Sequence, residues 1–219
     1  MSTYPDHQTY RALYKKYADG RDVAELGQLL EPLLGTRVLD LCGGEGDLTC
    51  YARNHGAEYV TLIDASVKMP HENLHKDSHI RVITGDVTDT LRRMKKTGTM
   101  FNRAVCRQAV NYWLGEESAE ALAGVLVPES LFVFNTFNQK PDIRPRVIEY
   151  MLDSHFFTEV SWLTGDDMVH HVQVRDGFPP HTTEFLWLSR EKIHSLLEPY
   201  FVIEEIVREK TSIYRCIRK

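Results

Sequence analysis

A glycine-rich turn follows the first strongly apolar run of the chain. Residues 38–41 (VLDL) read as a buried strand, residues 42–46 (CGGEG) follow directly, and a helix is predicted to begin near Asp47. Glycines allow a sharp turn and let the backbone approach a ligand without a Cβ in the way. In open parallel sheets, ligands bind beyond the carboxyl ends of the strands, next to such turns. Taken alone the pattern is weak, because an ordinary tight turn between a strand and a helix looks the same.

Acidic residues stand at the ends of the next two strand-like runs. Asp64 ends the run LID, where a carboxylate can accept hydrogen bonds from both ribose hydroxyls of an adenosine. Asp86 ends the run TGD, where it can accept the exocyclic amine of adenine while the Val87 N–H faces a ring nitrogen. Each acid alone also suits a helix N-cap, and Asp86 stands directly before a predicted helix. Two acids at successive strand tips beside a glycine turn favour an adenosine-containing ligand.

Short strands and helices alternate through the first two thirds of the chain. The predicted strands are residues 37–41, 59–63, 80–84, 102–106 and 131–136. The predicted helices are residues 7–19, 22–34, 47–55, 66–75 (interrupted by Pro70), 88–95 and 116–126. Strands spaced by helices predict right-handed crossovers and a parallel sheet that is covered on both faces.

The pattern changes after Phe137. A helix is predicted over residues 143–153, and the three alternating runs after it predict a small antiparallel insertion: 158–163, 169–175 and 182–188. A helix at 190–198 then precedes two strand-like runs, 202–209 and 212–218. Only Lys210 and Thr211 separate these two runs, which is too short for a parallel crossover. They must therefore pair as an antiparallel hairpin.

The glycine turn and the hairpin together resemble the class I family of S-adenosylmethionine (SAM)-dependent methyltransferases. The family's first motif is an acid followed by alternating glycines, and it is matched here by Asp40, Gly44 and Gly46, with Cys42 in place of the first glycine. The resemblance implies an α/β fold: a Rossmann-like, seven-stranded, mostly parallel sheet with a reversed C-terminal β-hairpin, an N-terminal helical lid and a small antiparallel insertion.

The resemblance also assigns the other strand tips and divides the chain. The family's ribose acid corresponds to Asp64, its adenine-side acid to Asp86, and its fourth-strand motif to residues 101–113, where Asn102 replaces the usual acid. It implies a single methyltransferase domain in four parts. These are a helical lid (1–35), a cofactor-binding core (36–137), a substrate-binding insertion (138–188) and the C-terminal helix and hairpin (189–219).

An aromatic N-terminal segment supplies the next candidates. Tyr10, Tyr14 and Tyr17 share one face of the predicted helix, and packing on the core is one interpretation of that stripe. In small-molecule members of the family, a helix of this kind covers the cofactor. Tyr14 or Tyr17 would then flank the sulfonium, and Arg21 would hold the methionine carboxylate. The full set of expected cofactor-binding residues is Tyr14, Tyr17, Arg21, Asp40, Cys42, Gly43, Gly44, Gly46, Asp64, Ala65, Asp86, Val87, Arg107 and Gln108.

The signals for the methyl acceptor are less specific. In the family, the loop after the fourth strand borders the transferable methyl group. The expected substrate-binding residues lie there and at the end of the fifth strand: Asn111, Tyr112, Trp113, Asn135 and Phe137. Core packing suits Trp113 equally well. His170 and His171 point to opposite faces of a predicted strand, and either of them, or Tyr14, is a candidate catalytic base; a solvated or structurally bonded histidine is the alternative.

Composition narrows the substrate class. The net charge is −5, whereas a generic nucleic-acid binder is usually basic, so a small-molecule substrate is expected and nucleic acid is not. The Asp/Asn-Pro-Pro-Tyr/Phe motif of nucleic-acid and protein-glutamine methyltransferases is absent from the sequence. The cysteines are scattered without metal-ligand spacing, and no run reaches membrane-spanning length. We expect a cytoplasmic monomer or homodimer without a metal or a membrane partner.

The sequence thus predicts an enzyme that uses SAM, releases S-adenosylhomocysteine, and methylates N, O or C of a small molecule such as a metabolite or natural product. One alternative is an NAD(P)-dependent oxidoreductase, which shares the glycine turn and the ribose acid. Such enzymes usually carry a third glycine, where this chain has Thr49, and they continue into a second βαβ half. The other alternative is a catalytically silent protein that binds SAM.

Overall fold

The computed structural model describes residues 21–66, 70, 72–140, 146–152, 155–165, 167–175 and 180–219. The chain divides into two compact units. The larger comprises Gly20–Asn138 and Arg190–Lys219, and the smaller contains Gln139–Ser189. The helix predicted at residues 7–19 lies outside the described residues.

The elements are numbered along the chain. The described α-helices are α1 (Arg21–Leu30), α2 (Asp47–Asn54), α3 (Val87–Lys96), α4 (Glu116–Gly124) and α5 (Arg190–Leu197), with short 3-10 helices at Glu72–Lys76 and Val110–Tyr112. The described strands are β1 (Arg37–Leu41), β2 (Tyr59–Asp64), β3 (Ile80–Thr84), β4 (Phe101–Arg107), β5 (Leu126–Phe137), β6 (Arg146–Leu152), β7 (His155–Leu163), β8 (Met168–Arg175), β9 (His181–Leu186), β10 (Phe201–Val207) and β11 (Thr211–Arg218).

One sheet organises the larger unit. Its described strands are seven in number and lie in the order β10-β11-β5-β4-β1-β2-β3. Neighbouring strands run parallel from β5 to β3, whereas β11 is antiparallel to both β5 and β10. The Arg208 N–H donates to the Thr211 carbonyl at 2.8 Å and closes the tight turn of the last hairpin. The predicted Rossmann-like sheet with its reversed C-terminal hairpin is confirmed.

Helix α1 covers part of this sheet with an apolar stripe. Leu26 and Leu30 are buried in a cluster with β-strand residues such as Val38 and Val105. The prediction of a helix to residue 34 was too long, because α1 ends at Leu30 and Pro32, which has no N–H to donate, follows closely. The guanidinium of Arg103 donates to the Leu30 carbonyl at 2.8 Å, which satisfies one of the carbonyls left open at the helix end.

The smaller unit contains an antiparallel sheet of four described strands in the order β6-β7-β8-β9. The insertion is therefore antiparallel as predicted, but the helix predicted over residues 143–153 is wrong. Arg146–Leu152 forms β6, and each of its residues pairs with one of β7, from Arg146 opposite Ser161 to Leu152 opposite His155. Val147 and Ile148 suit a strand, and the ladder with β7 overrides the local helical spacing.

Three further findings concern a predicted helix, metal sites and membrane-spanning helices. The helix predicted at 66–75 is reduced, among the described residues, to the 3-10 helix Glu72–Lys76, and residues 67–69 and 71 lie outside them. Within the described ranges, no group of three or more His, Cys, Asp or Glu side chains is arranged to hold a metal ion. Nor is any helix in that part of the chain long and apolar enough to cross a membrane.

Candidate functional site

The carboxyl ends of four adjacent parallel strands meet at one edge of the large sheet. Two backbone hydrogen bonds extend their ladders past the strand ends: Gly43 N–H to the Ile63 carbonyl at 3.2 Å, and Gly85 N–H to the Asp64 carbonyl at 2.9 Å. This edge brings together the predicted cofactor residues that lie at the ends of β4, β1, β2 and β3 or directly after them: Asp40, Cys42, Gly43, Gly44, Gly46, Asp64, Ala65, Asp86, Val87, Arg107 and Gln108.

The turn after β1 depends on left-handed backbone conformations. Gly44 and Gly46 have φ angles of 55° and 90°, and Cys42 has a φ of 54° although it is not a glycine. A Cβ built on Gly43 would lie 2.9 Å from the Asp40 Cγ, so a larger residue there would collide with the buried acid. Cys42 thus adopts the left-handed conformation that favours glycine, at a cost in strain.

Asp40 lies buried beneath this turn. Its Oδ2 accepts a hydrogen bond from the Thr49 hydroxyl of α2 at 2.7 Å. Burial raises the pKa of Asp40 from 3.8 to about 7; the Thr49 bond opposes this rise, and the nearby charge of Asp64 adds to it. Thr49 was not among the predicted site residues; its place in the first turn of the helix after the glycines is the sequence signal for this contact.

Asp64 is the buried acid at the tip of β2. Its Oδ2 accepts the Gly44 N–H and its Oδ1 accepts the Ser66 N–H, each at 2.9 Å. Burial raises the pKa of this carboxyl, while the two N–H bonds lower it. A carboxylate oxygen can accept more than one hydrogen bond, so a carboxylate clamped in this way can still receive a pair of hydroxyl groups. Asp64 thus joins the β2 tip to the glycine turn.

Asp86 at the tip of β3 is the N-cap of α3. Its Oδ1 accepts the Asp89 N–H at 2.9 Å. The N-cap interpretation of this exposed acid is therefore confirmed. The cap hydrogen bond occupies one of its two carboxylate oxygens. Val87 begins α3 and is buried, and Ala65 is exposed beside Asp64. The roles predicted for these residues toward an adenine ring stay predictions.

Gln108 turns the chain at the tip of β4. Its φ is 53°, and its N–H donates to the Asn135 Oδ1 of β5 at 2.8 Å. The Thr136 hydroxyl next along β5 donates to the Asn111 Oδ1 at 2.8 Å in a buried contact. Two predicted substrate residues, Asn111 and Asn135, therefore hold the loop after β4 against β5 through their side-chain oxygens.

Aromatic residues near this edge differ in exposure. Trp113 is only 8% exposed and its ring lies 6.2 Å from that of Phe132, which favours the core-packing interpretation over a substrate wall. Tyr112 and Phe137 are 41% and 49% exposed.

Cys42 and Cys106 form a pair of thiols near the glycine turn. A hydrogen bond with Cys106, and then burial, raise the pKa of the Cys42 thiol.

The predicted bases lie in the smaller unit or outside the described residues. His170 Nδ1 lies 3.0 Å from Glu184 Oε1, and its ring stacks on Trp162 with centroids 5.2 Å apart. His171 Nδ1 lies 2.6 Å from the Ser161 hydroxyl, and burial lowers the pKa of this histidine. Both histidines have structural partners, so their catalytic role stays a prediction. Tyr14, Tyr17 and the Arg21 side chain lie outside the described residues.

No protein-family model and no curated protein sequence matches the chain. Solved structures do resemble it. A SAM-bound amino pentose methyltransferase of calicheamicin biosynthesis from Micromonospora echinaspora aligns with a TM-score of 0.74 and 13% identity over 100% of both chains. A sugar N-methyltransferase from Streptoalloteichus gives 0.71 and 13%, over 100% of this chain and 97% of the other.

A SAM-dependent methyltransferase from Mesorhizobium loti gives a TM-score of 0.63 and 19% identity, over 89% of this chain and 96% of the other. These likenesses extend over nearly the whole length of each chain. The protein therefore has the fold of class I SAM-dependent methyltransferases.

Proposed function

We propose that this protein is a SAM-dependent methyltransferase that acts on a small molecule. The observation that carries the proposal is the buried Asp64 carboxylate, clamped by the Gly44 and Ser66 amides at a strand tip beside the glycine turn. The reversed β10–β11 hairpin supports the same class over a nicotinamide oxidoreductase, since a dinucleotide fold would continue into a second parallel half.

The residues at the sheet edge fit the parts of SAM. Asp64 would accept the two ribose hydroxyls, and Asp86 would accept the adenine amine with the oxygen that does not cap α3. Carbonyls of the Gln108–Ala109 segment would hold the methionine ammonium, and Arg21 its carboxylate. Buried acids suit a cationic ligand, because a positive charge favours the ionised form of a nearby carboxyl.

When bound, SAM supplies an electrophilic methyl carbon, whose bond to sulfur breaks as a bond to the acceptor atom forms. The chain's own task is to align that acceptor, exclude water and take up a proton where the acceptor carries one. Of the five predicted acceptor residues, we propose the exposed Tyr112 and Phe137 for direct contact with the acceptor. Asn111 and Asn135 would hold the loop after β4 in place for it, and Trp113 would support that loop from the core. We propose His170, His171 or Tyr14 for the proton.

Two observations support a small-molecule acceptor with a nucleophilic N, O or C. The similar structures include enzymes named for an amino pentose and for a sugar nitrogen. The chain's net charge of −5 does not suit a polyanionic acceptor. Amino sugars are therefore the first acceptor class to test, with other small amines and hydroxy compounds after them.

A thermal-shift screen tests the donor. S-adenosylhomocysteine, NAD(H) and NADP(H) are each added at saturating concentration. A ligand at 100 times its Kd stabilises a protein by about 2.7 kcal/mol, which raises the Tm of a chain of this size by about 5–10 °C. Among these ligands, we expect only S-adenosylhomocysteine to raise the Tm by this amount. A rise with a nicotinamide nucleotide and none with S-adenosylhomocysteine would overturn the proposal.

Methyl transfer from labelled SAM to a panel of amino sugars, other amines and phenols then tests the activity. We expect incorporation of label with at least one class. Binding of S-adenosylhomocysteine without transfer to any acceptor would favour the catalytically silent alternative.

A further inference from the structure

Arg107 at the end of β4 joins the first turns of two helices. Its Nη2 donates to the Asp47 Oδ2 of α2 at 3.2 Å. Its Nη1 lies 3.6 Å from the Asp22 Oδ1 of α1, and both of these atoms are buried. The arginine side chain is only 14% exposed. One guanidinium therefore bridges two carboxylates that belong to different helices.

The bridged elements belong to the proposed cofactor site. Helix α2 follows the glycine turn directly, and β4 leads into the loop that begins with Gln108. Helix α1 begins at Arg21, one residue before Asp22, and Arg21 is the side chain proposed for the methionine carboxylate. A shift of the first turn of α1 would therefore also displace the backbone of Arg21.

The Arg107 side chain is only 14% exposed, whereas the Asp22 and Asp47 side chains are 28% and 42% exposed. The contact between Arg107 Nη1 and Asp22 Oδ1 is the buried part of this network. Removing one member of a buried ion pair leaves its partner charged and poorly solvated, so such pairs have a strong effect on local geometry. The planar fork of an arginine holds two carboxylates at once in fixed directions, whereas the three donors of a lysine ammonium rotate freely. Arg107 is thus suited to fix two helix ends rather than to bind a mobile group.

We propose that Arg107 is a positioning residue: with Asp22 and Asp47 it latches the start of α1 to the glycine turn and so holds Arg21 in place for the cofactor. The inference rests on the proposed function. It revises the sequence-based prediction that Arg107 binds the cofactor itself. Under that direct-contact alternative, Asp22 would compete with the ligand for the guanidinium, whereas in the latch Asp22 assists binding.

The test is a double-mutant cycle on cofactor affinity with the full chain. The variants are Arg107→Gln, Asp22→Asn, the two combined, and Arg107→Lys. Isothermal titration with S-adenosylhomocysteine measures Kd, and steady-state assays separate the KM for SAM from kcat. Arg92→Gln is the matched control, because Arg92 also bridges acids of two helices, Asp89 of α3 and Glu117 of α4, but on an exposed surface.

We expect Arg107→Gln and Asp22→Asn each to raise Kd about tenfold, and the double variant to lose little more than either single variant, because coupled residues are not additive. The KM for SAM should rise by a similar factor. Arg107→Lys should recover only part of the affinity, and Arg92→Gln should bind like the wild type.

Three results would overturn the latch. The first is an Asp22→Asn variant that binds S-adenosylhomocysteine as tightly as the wild type or more tightly. The second is a double variant whose Kd rises by the product of the two single effects, and the third is an Arg107→Gln variant within about twofold of the wild-type Kd. If Arg107→Gln does not fold, Asp22→Asn and Arg107→Lys still decide the matter. A wild-type protein that binds no S-adenosylhomocysteine would refute the proposed function instead, and that outcome is visible before any variant is made.

Discussion

The raised pKa of Asp40 makes the stability of the protein depend on pH. In the folded protein burial raises this pKa from 3.8 to about 7, so between about pH 4 and pH 7 the folded state holds a proton that the unfolded state has lost. The free energy of unfolding contributed by this residue must therefore fall as pH rises through that range. At about 1.36 kcal/mol per pH unit, the full effect is about 4 kcal/mol.

Asp40→Asn removes the charge and keeps an oxygen that can accept the Thr49 hydroxyl. We expect the free energy of unfolding of this variant, minus that of the wild type, to increase by about 2–3 kcal/mol between pH 5 and pH 8, because only the wild type must bury a charge at the higher pH. Urea denaturation followed by circular dichroism at several pH values gives the difference directly.

Asp77→Asn is the matched control for this measurement. The His79 N–H, which Asp77 accepts at 2.8 Å, lowers the pKa of Asp77, as does the neighbouring Arg53. Because this group is ionised in both states above pH 5, the difference between Asp77→Asn and the wild type should change far less between pH 5 and pH 8 than the difference for Asp40→Asn. A pH-independent difference for Asp40→Asn as well would refute the reasoning on burial of its charge.

Three further predictions follow from the site. Asp64→Ala should raise the Kd of S-adenosylhomocysteine roughly 10- to 100-fold by titration calorimetry. The control Asp77→Ala, which removes a similar contact between a carboxylate and a backbone amide elsewhere, should leave this Kd unchanged. An Asp64→Ala variant that binds as tightly as the wild type would remove Asp64 from the site. Thr136→Val takes the hydroxyl donor from the buried Asn111 oxygen and should lower the free energy of unfolding by about 1–3 kcal/mol, so an unchanged urea midpoint would contradict the buried contact. Tyr14→Phe or Tyr17→Phe should lower kcat more than Tm, and normal turnover in both variants would reduce the proposed lid to core packing.

The sheet edge was predictable because its signals are local. β1, β2 and β3 are largely apolar runs that lead into a glycine turn or an acid, and adjacent parallel strands bring their carboxyl ends together whatever else the chain does. The closeness of Gly44 and Asp64 follows from that rule. The reversed hairpin was equally accessible, since two residues cannot carry the chain across a sheet.

Features set by tertiary contact were not predictable in this way. Residues 146–152 have a helix-compatible pattern, yet they form β6 because β7 offers a partner strand. The partners of Arg107 come from distant parts of the sequence, and no spacing links Asp22 to it. Trp113 was equally compatible with a pocket and with the core until its contact with Phe132 was seen.

The central claim is that the Asp64 edge binds the adenosine of SAM. A crystal structure of the protein with S-adenosylhomocysteine tests it most directly. We expect both ribose hydroxyls to lie within about 2.6–3.0 Å of the Asp64 carboxylate oxygens, with the glycine turn beneath the ligand. A ligand that binds elsewhere, or whose ribose does not contact Asp64, would contradict it.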